Sequence, residues 1–282
     1  MLNKFLKYDM KRMSRFTIPI MIVLAIAIAV GVAATFFGIS SSGSDDPSQS
    51  ATLVENLAGV GSGLIVMFVV FILLSAVTVA QVLVLVDFYK STVSDEAYLT
   101  FTLPARAHDI VRSKLISGVI WITVISAIVV GGIFAIIVAM FAATDVPLDN
   151  FYLTLETLEN FIDLPDGFGV LFILAIIQWL AQFVNVQILY FMAIFWGSTI
   201  VKKYKAIVSI AFVIGVEIAY SIIMSLISLV VETIVLATSV DSAGAVLTAC
   251  VGEVVYIAII TVLSILFYYL TIHMMERKLN LA

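Results

Sequence analysis

Three glutamates, Glu217, Glu232 and Glu253, stand inside the last two long apolar stretches of the chain. A carboxylate in the hydrocarbon core costs about 3 kcal/mol on insertion scales, so each is a functional candidate by default. Glu217 lies twelve residues after Lys205, which at helical rise is about 18 Å, near the middle of a bilayer. Three roles suit it: a polar spot on a translocation path, a protonation switch, or a protonated carboxyl hydrogen-bonded to a neighbouring helix. Glu232 and Glu253 fall in or beside the turn between the last two stretches, over 230–252, and are candidates for an outer gate, proximity to outer water being the alternative. Gln178, Gln182 and Asn185 recur at i, i+4 and i+7 on one helical stripe, which must face protein or water rather than lipid. They can bond between helices, at about 0.6 kcal/mol each, or contact a translocated substrate.

Other chemistry is missing. No G-x-x-x-x-G-K-[ST] loop is present, and no Gly-Lys pair occurs anywhere, so the chain cannot cradle a nucleotide in a P-loop. H-E-x-x-H and G-x-S-x-G are absent too. A single cysteine, Cys250, excludes an intrachain disulfide, and with only two histidines, His108 and His273, there is no Cys/His metal framework. The chain is read as no enzyme, with no cofactor of its own.

The elements that position these residues follow from composition. Of 282 residues, 63% are hydrophobic and 12% charged, and the mean hydropathy is +1.20. So few charges cannot cover a water-facing surface, which excludes a soluble enzyme, a nucleic-acid binder and a disordered tail together. Charge-poor runs occupy 16–44, 56–86, 115–144, 167–201, 206–240 and 242–275, each longer than the about 20 residues needed to cross a bilayer. The expected fold is an all-α integral membrane protein with six transmembrane helices. No strand-like alternation suggests a barrel, and no internal repeat is evident. The first run exceeds a signal-peptide core and lacks a clear cleavage site, so no cleaved leader is expected.

All 14 basic residues fall before the first run, between the second and third, between the fourth and fifth, or after the sixth. The opposite connections, with Asp45, Asp46, Asp145, Asp149, Glu156 and Asp241 among their carboxylates, carry no positive charge. The positive-inside rule therefore places both termini in the cytoplasm.

Leu2, Phe5, Leu6, Met10 and Met13 oppose Lys4, Lys7, Lys11 and Arg15, which predicts an amphipathic interfacial helix over 1–15. A second amphipathic helix is expected outside, over 151–163. The 206–240 run is 35 residues, about 50 Å as straight helix. We therefore expect the fifth helix to end near Leu229 and residues 230–252 to re-enter the membrane, plain tilt of a long helix being the alternative. In the first helix two columns of small residues, Ala25/Ala29/Ala33 and Ala27/Gly31/Thr35, permit close packing.

The connection over 87–114 is the longest on the basic side. Ser94 can cap a short helix with Asp95 and Glu96 in its first turn, and Pro104 can open a second that runs into the third span. Such a helix is suited to dock a cytoplasmic partner; a solvated connector is the alternative.

The segments FLKYDMKRMSRFTIPI (5–20), FYKSTVSDEAYLTFTLP (88–104) and SKLISGVIW (113–121) resemble the permease subunits of type-2 ATP-binding-cassette (ABC) exporters of Gram-positive bacteria. The resemblance extends over essentially the whole chain, from six spans with cytoplasmic termini to an outer re-entrant segment. It implies that the loop is a coupling helix, with Ser94, Asp95, Glu96, Tyr98, Leu99 and Thr100 contacting a separate ATPase subunit that binds ATP and Mg. It further implies two ATPase copies, a second permease (identical or a close sibling), a bacterial plasma membrane and export. The aromatic and Met-rich spans, with 19 Phe and 10 Met, favour a hydrophobic or amphipathic cargo such as an antimicrobial or toxin-like peptide. Two readings from other classes stand beside it: an ion-coupled secondary transporter using the glutamates, and a non-transporting immunity or scaffold protein.

Overall fold

A computed structural model of the chain describes residues 2–40, 49–94, 107–143, 168–200, 204–238 and 242–280. Every regular element among them is an α-helix: α1 (Leu2–Ser40), α2 (Gln49–Thr92), α3 (Ala107–Ala143), α4 (Phe168–Ile200), α5 (Lys205–Thr238) and α6 (Ser242–Asn280). All six are long and apolar enough to cross a membrane. The expected coupling residues Asp95, Glu96, Tyr98, Leu99 and Thr100, and the expected outer helix over 151–163, lie outside the described residues.

Two expected boundaries are corrected. The amphipathic segment 1–15 is no separate helix but the first turns of α1, which runs unbroken from Leu2 to Ser40. No glycine or proline precedes Pro19, and Thr17 Oγ1 donates to the Met13 carbonyl at 3.0 Å across the expected junction. The fifth helix does not end near Leu229 but continues to Thr238, and α6 starts at Ser242. Nothing in 229–238 breaks a helix, and Thr233 Oγ1 bonds back to the Leu229 carbonyl. Residues 230–252 are therefore largely the ends of two long helices, rather than a pair of short ones.

The chain divides into two compact units. One comprises Arg12–Leu83 and Trp121–Asp163; the other comprises Met1–Lys11, Val84–Ile120 and Leu164–Ala282. In the first unit, Leu24, Leu73 and Ile125 are fully buried and form a core with Ala27, Val69 and Val129. Small residues set the spacing there. Of the two columns in α1, Ala27, Gly31 and Thr35 are buried, whereas Ala25, Ala29 and Ala33 are exposed. A Cβ at Gly31 would lie 3.0 Å from both Ile136 Cδ1 and Val69 Cγ1, and one at Gly132 only 2.6 Å from Ile28 Cδ1.

In the second unit α4 packs against both α5 and α6. Its core includes Leu189, Met192, Tyr220, Met224 and Ile260. A Cβ at Gly197 would meet the Ser209 Cα at 2.8 Å, so only glycine allows the end of α4 to approach α5 this closely. Ser209 Oγ donates to the Ile194 carbonyl at 3.2 Å across the same contact.

Adjacent glycines of α3 provide an internally controlled test. Gly132 meets Ile28, whereas nothing lies within 4 Å of a Cβ at Gly131. Gly132→Leu should destabilise the detergent-solubilised protein by about 1–3 kcal/mol through overpacking. Gly131→Leu, with the same gain in helix propensity, should not. Thermal unfolding of the two variants checks this.

Candidate functional site

Two polar groupings emerge in the second unit, one at the base of the 87–114 connection and one within α4–α6. At the base, three helix ends meet on a buried ammonium. Lys114 Nζ lies 2.8 Å from Asp87 Oδ2 and 3.2 Å from Asp9 Oδ1. Side-chain exposures are 6% for Lys114, 11% for Asp87 and 16% for Asp9, so water screens this cluster little. Ser113 Oγ donates to the other Asp9 oxygen at 2.7 Å. The group joins the start of α1, the last turns of α2 and the first turns of α3.

Aromatic contacts extend the grip to α4 and α6. Phe88, next to Asp87, is buried and stacks on Phe191 with ring centroids 3.7 Å apart and planes 5° from parallel. Phe195 meets Phe88 edge-on at 5.8 Å. On the α3 side, Arg112 Nε donates to the Tyr268 hydroxyl at 3.0 Å, and His108 Nδ1 lies 3.2 Å from the same oxygen. Both ends of the connection are thus pinned to helices of one compact unit. Of the expected coupling residues, only Ser94 is described. It sits just past α2, where its hydroxyl donates to the Lys90 carbonyl at 2.8 Å and its amide to the Tyr89 carbonyl at 3.2 Å.

The interior grouping gathers most of the polar residues singled out in the sequence. Gln178 and Gln182 line a cleft of about 360 Å³ with Ala175, Trp179 and Tyr256. Gln182 and the Tyr220 hydroxyl are 3.4 Å apart. Tyr220 in turn is within electrostatic range of Glu217 and Tyr256, Tyr256 within range of Glu253, and Tyr190 within range of Glu217. Glu217 and Glu253 are half-buried, and each keeps one carboxylate oxygen, Oε2, that is buried without a hydrogen-bond partner.

Asn185 belongs to the same stripe but serves packing. It is fully buried, and its Nδ2 donates to the Ile260 carbonyl at 3.1 Å and to Ser264 Oγ at 2.8 Å, tying α4 to α6. Glu232 is exposed. Glu253 is eleven residues into α6, about 16 Å from its start, and so stands well inside the helix.

The comparisons with known protein families, curated proteins and solved structures found no match to this chain.

Two sets of residues had no signal in the sequence: the Asp9–Asp87–Lys114 cluster and the tyrosines Tyr190, Tyr220 and Tyr256. The aspartates and the lysine read there as ordinary charges flanking spans, and the tyrosines as ordinary members of apolar helices.

Removing the ammonium leaves two carboxylates facing each other out of water. Lys114→Met should therefore destabilise the protein by about 3 kcal/mol. Adding Asp9→Asn and Asp87→Asn to Lys114→Met should recover much of that loss. Thermal unfolding of the single and triple variants, in detergent at constant pH, measures both.

Proposed function

We propose that this chain is the transmembrane permease subunit of an ABC exporter, working with separate ATPase subunits in a bacterial plasma membrane. The loop motif SDEAYLTFTLP (94–104) supports this reading on the sequence side. The observation that carries it structurally is the fastening of both flanks of that loop, through Asp87, Phe88, Arg112 and Lys114, onto α1, α4 and α6. A coupling device must be rigid at its base, because a partner's push that the loop absorbed locally would never reach the spans. In this reading two ATPase copies bind ATP and Mg, and their closure acts on Ser94, Asp95, Glu96, Tyr98, Leu99 and Thr100. Two permeases, identical or siblings, then alternate between inward- and outward-facing states. The cargo is hydrophobic or amphipathic, such as an antimicrobial or toxin-like peptide. Both termini are cytoplasmic, in keeping with the one-sided distribution of lysine and arginine.

A second reading, the ion-coupled secondary transporter, draws on the glutamates with unpaired buried oxygens in α5 and α6. It requires transport without ATP, abolished by Glu217→Gln.

The deciding experiment co-expresses the chain with its candidate ATPase and measures ATP hydrolysis by the purified complex. Under the exporter reading the two co-purify, and Glu96→Arg dissociates them or uncouples hydrolysis. A chain that purifies alone, with hydrolysis indifferent to Glu96→Arg, would remove the exporter reading in favour of the second.

A further inference from the structure

The cleft between α4 and α6 has an unusual electrostatic setting. Its walls are two amides, Gln178 and Gln182, and two aromatic rings, Trp179 and Tyr256. Trp179 is braced edge-on against Phe183, with centroids 4.7 Å apart. Two glutamates act on these walls: Glu253 is within electrostatic range of Tyr256, and Glu217 within range of Tyr220, which meets Gln182. Each carboxylate has a buried oxygen with no partner. Among the described residues neither carboxylate forms an ion pair. Between Lys205 and His273 the sequence has no lysine, arginine or histidine, and at helical rise these two lie about 18 Å from Glu217 and about 30 Å from Glu253 respectively.

We infer that this cleft binds the charged group of an amphiphilic organic cation, held by the faces of Trp179 and Tyr256 and by the field of Glu217 and Glu253. The kind of cation follows from the donors. A hard metal ion needs about six convergent oxygens, and among the described residues no three acidic, histidine or cysteine side chains gather in one place. A substituted ammonium needs only aromatic faces and a diffuse negative field, both of which strengthen away from water. In the same stretch of α4 as Ala175 and Gln178, Phe172, Ile173 and Ile176 are exposed, giving the apolar part of such a molecule a surface to lie along. The same chemistry is offered by a free amphiphile and by the headgroup of an ammonium lipid. That the cleft serves as a cargo site rests on the exporter reading; that it binds the cation does not.

The test uses the full chain purified in an uncharged maltoside detergent, with benzyldimethyloctylammonium as probe and equilibrium dialysis as readout. Its neutral isostere, with carbon in place of the quaternary nitrogen, is the control, so the key comparison needs no variant. The cation should bind saturably and about tenfold or more tightly than the isostere. Glu217→Gln and Glu253→Gln should each weaken the cation by about tenfold and leave the isostere unchanged. Equal affinity for cation and isostere, or undiminished cation affinity in both variants, overturns the inference. Competition by added phosphatidylethanolamine assigns the site to a lipid headgroup, and its absence to a free amphiphile. Because no ATPase is present, a negative result here leaves the exporter reading standing, and failed ATPase coupling leaves the binding result standing.

Discussion

An ammonium taken out of water is tolerated only where carboxylates and hydroxyls replace its hydration, and Lys114 meets that condition through residues from three different helices. Asp87 comes from the end of α2, Asp9 from the start of α1, and Ser113 from α3 itself. Breaking such a cluster by removing one partner costs far more than the cluster contributes when intact. Its value therefore lies in specification: the register of each helix end is fixed relative to the other two. Phe88 is one residue from Asp87 and Arg112 two residues from Lys114, so the same register delivers their contacts to Phe191 and Tyr268. Both flanks of the 87–114 connection thus carry a member of the charge cluster beside a residue that contacts α4 or α6.

The interior of α4–α6 obeys the opposite electrostatic rule. Lys114 has two carboxylates within reach, whereas Glu217 and Glu253 are set among tyrosine hydroxyls and amides. In a medium of low dielectric, that difference separates a charge cluster balanced within the fold from carboxylates without an ion pair among the described residues. Asn185 marks the boundary between the two kinds of polar residue. Its amide nitrogen is fully used in bonds to α6, and it lies toward the half of α4 that is buried. Gln178, seven residues earlier, sits where α4 is largely exposed and lines the cleft. One stripe on one helix thus changes from packing to lining within two turns.

The spans were legible in the sequence because a bilayer imposes a length and excludes charge, and both are visible without coordinates. Their ends were less so. The expected stop near Leu229 rested on bilayer thickness, which limits how much helix lies in hydrocarbon but not where a helix must end. With no glycine or proline in 229–238 the backbone simply continues to Thr238. The same reason joins 1–15 to the first span. Amphipathicity identified a change of environment there, and a change of environment does not interrupt a helix.

Contacts between distant residues were not legible at all. Asp9 and Lys114 are 105 positions apart, and nothing local distinguishes this pair from the other charges that flank spans. The two small-residue columns of α1 illustrate the same limit more sharply. Ala25/Ala29/Ala33 and Ala27/Gly31/Thr35 have the same spacing and similar volumes, yet only the second is buried. What separates them is the partner surface: the side chains of Val69 and Ile136 come within 3.0 Å of where a Cβ on Gly31 would stand, space that only the missing Cβ leaves open. Periodicity can say that a face is able to pack closely, but the side chains arriving from other helices decide which face does. The glutamine stripe was found because polar residues in a span are conspicuous. Tyr190, Tyr220 and Tyr256 were not, because a tyrosine is mostly hydrocarbon, and its single hydroxyl gains meaning only from the carboxylate or amide that another helix brings to it.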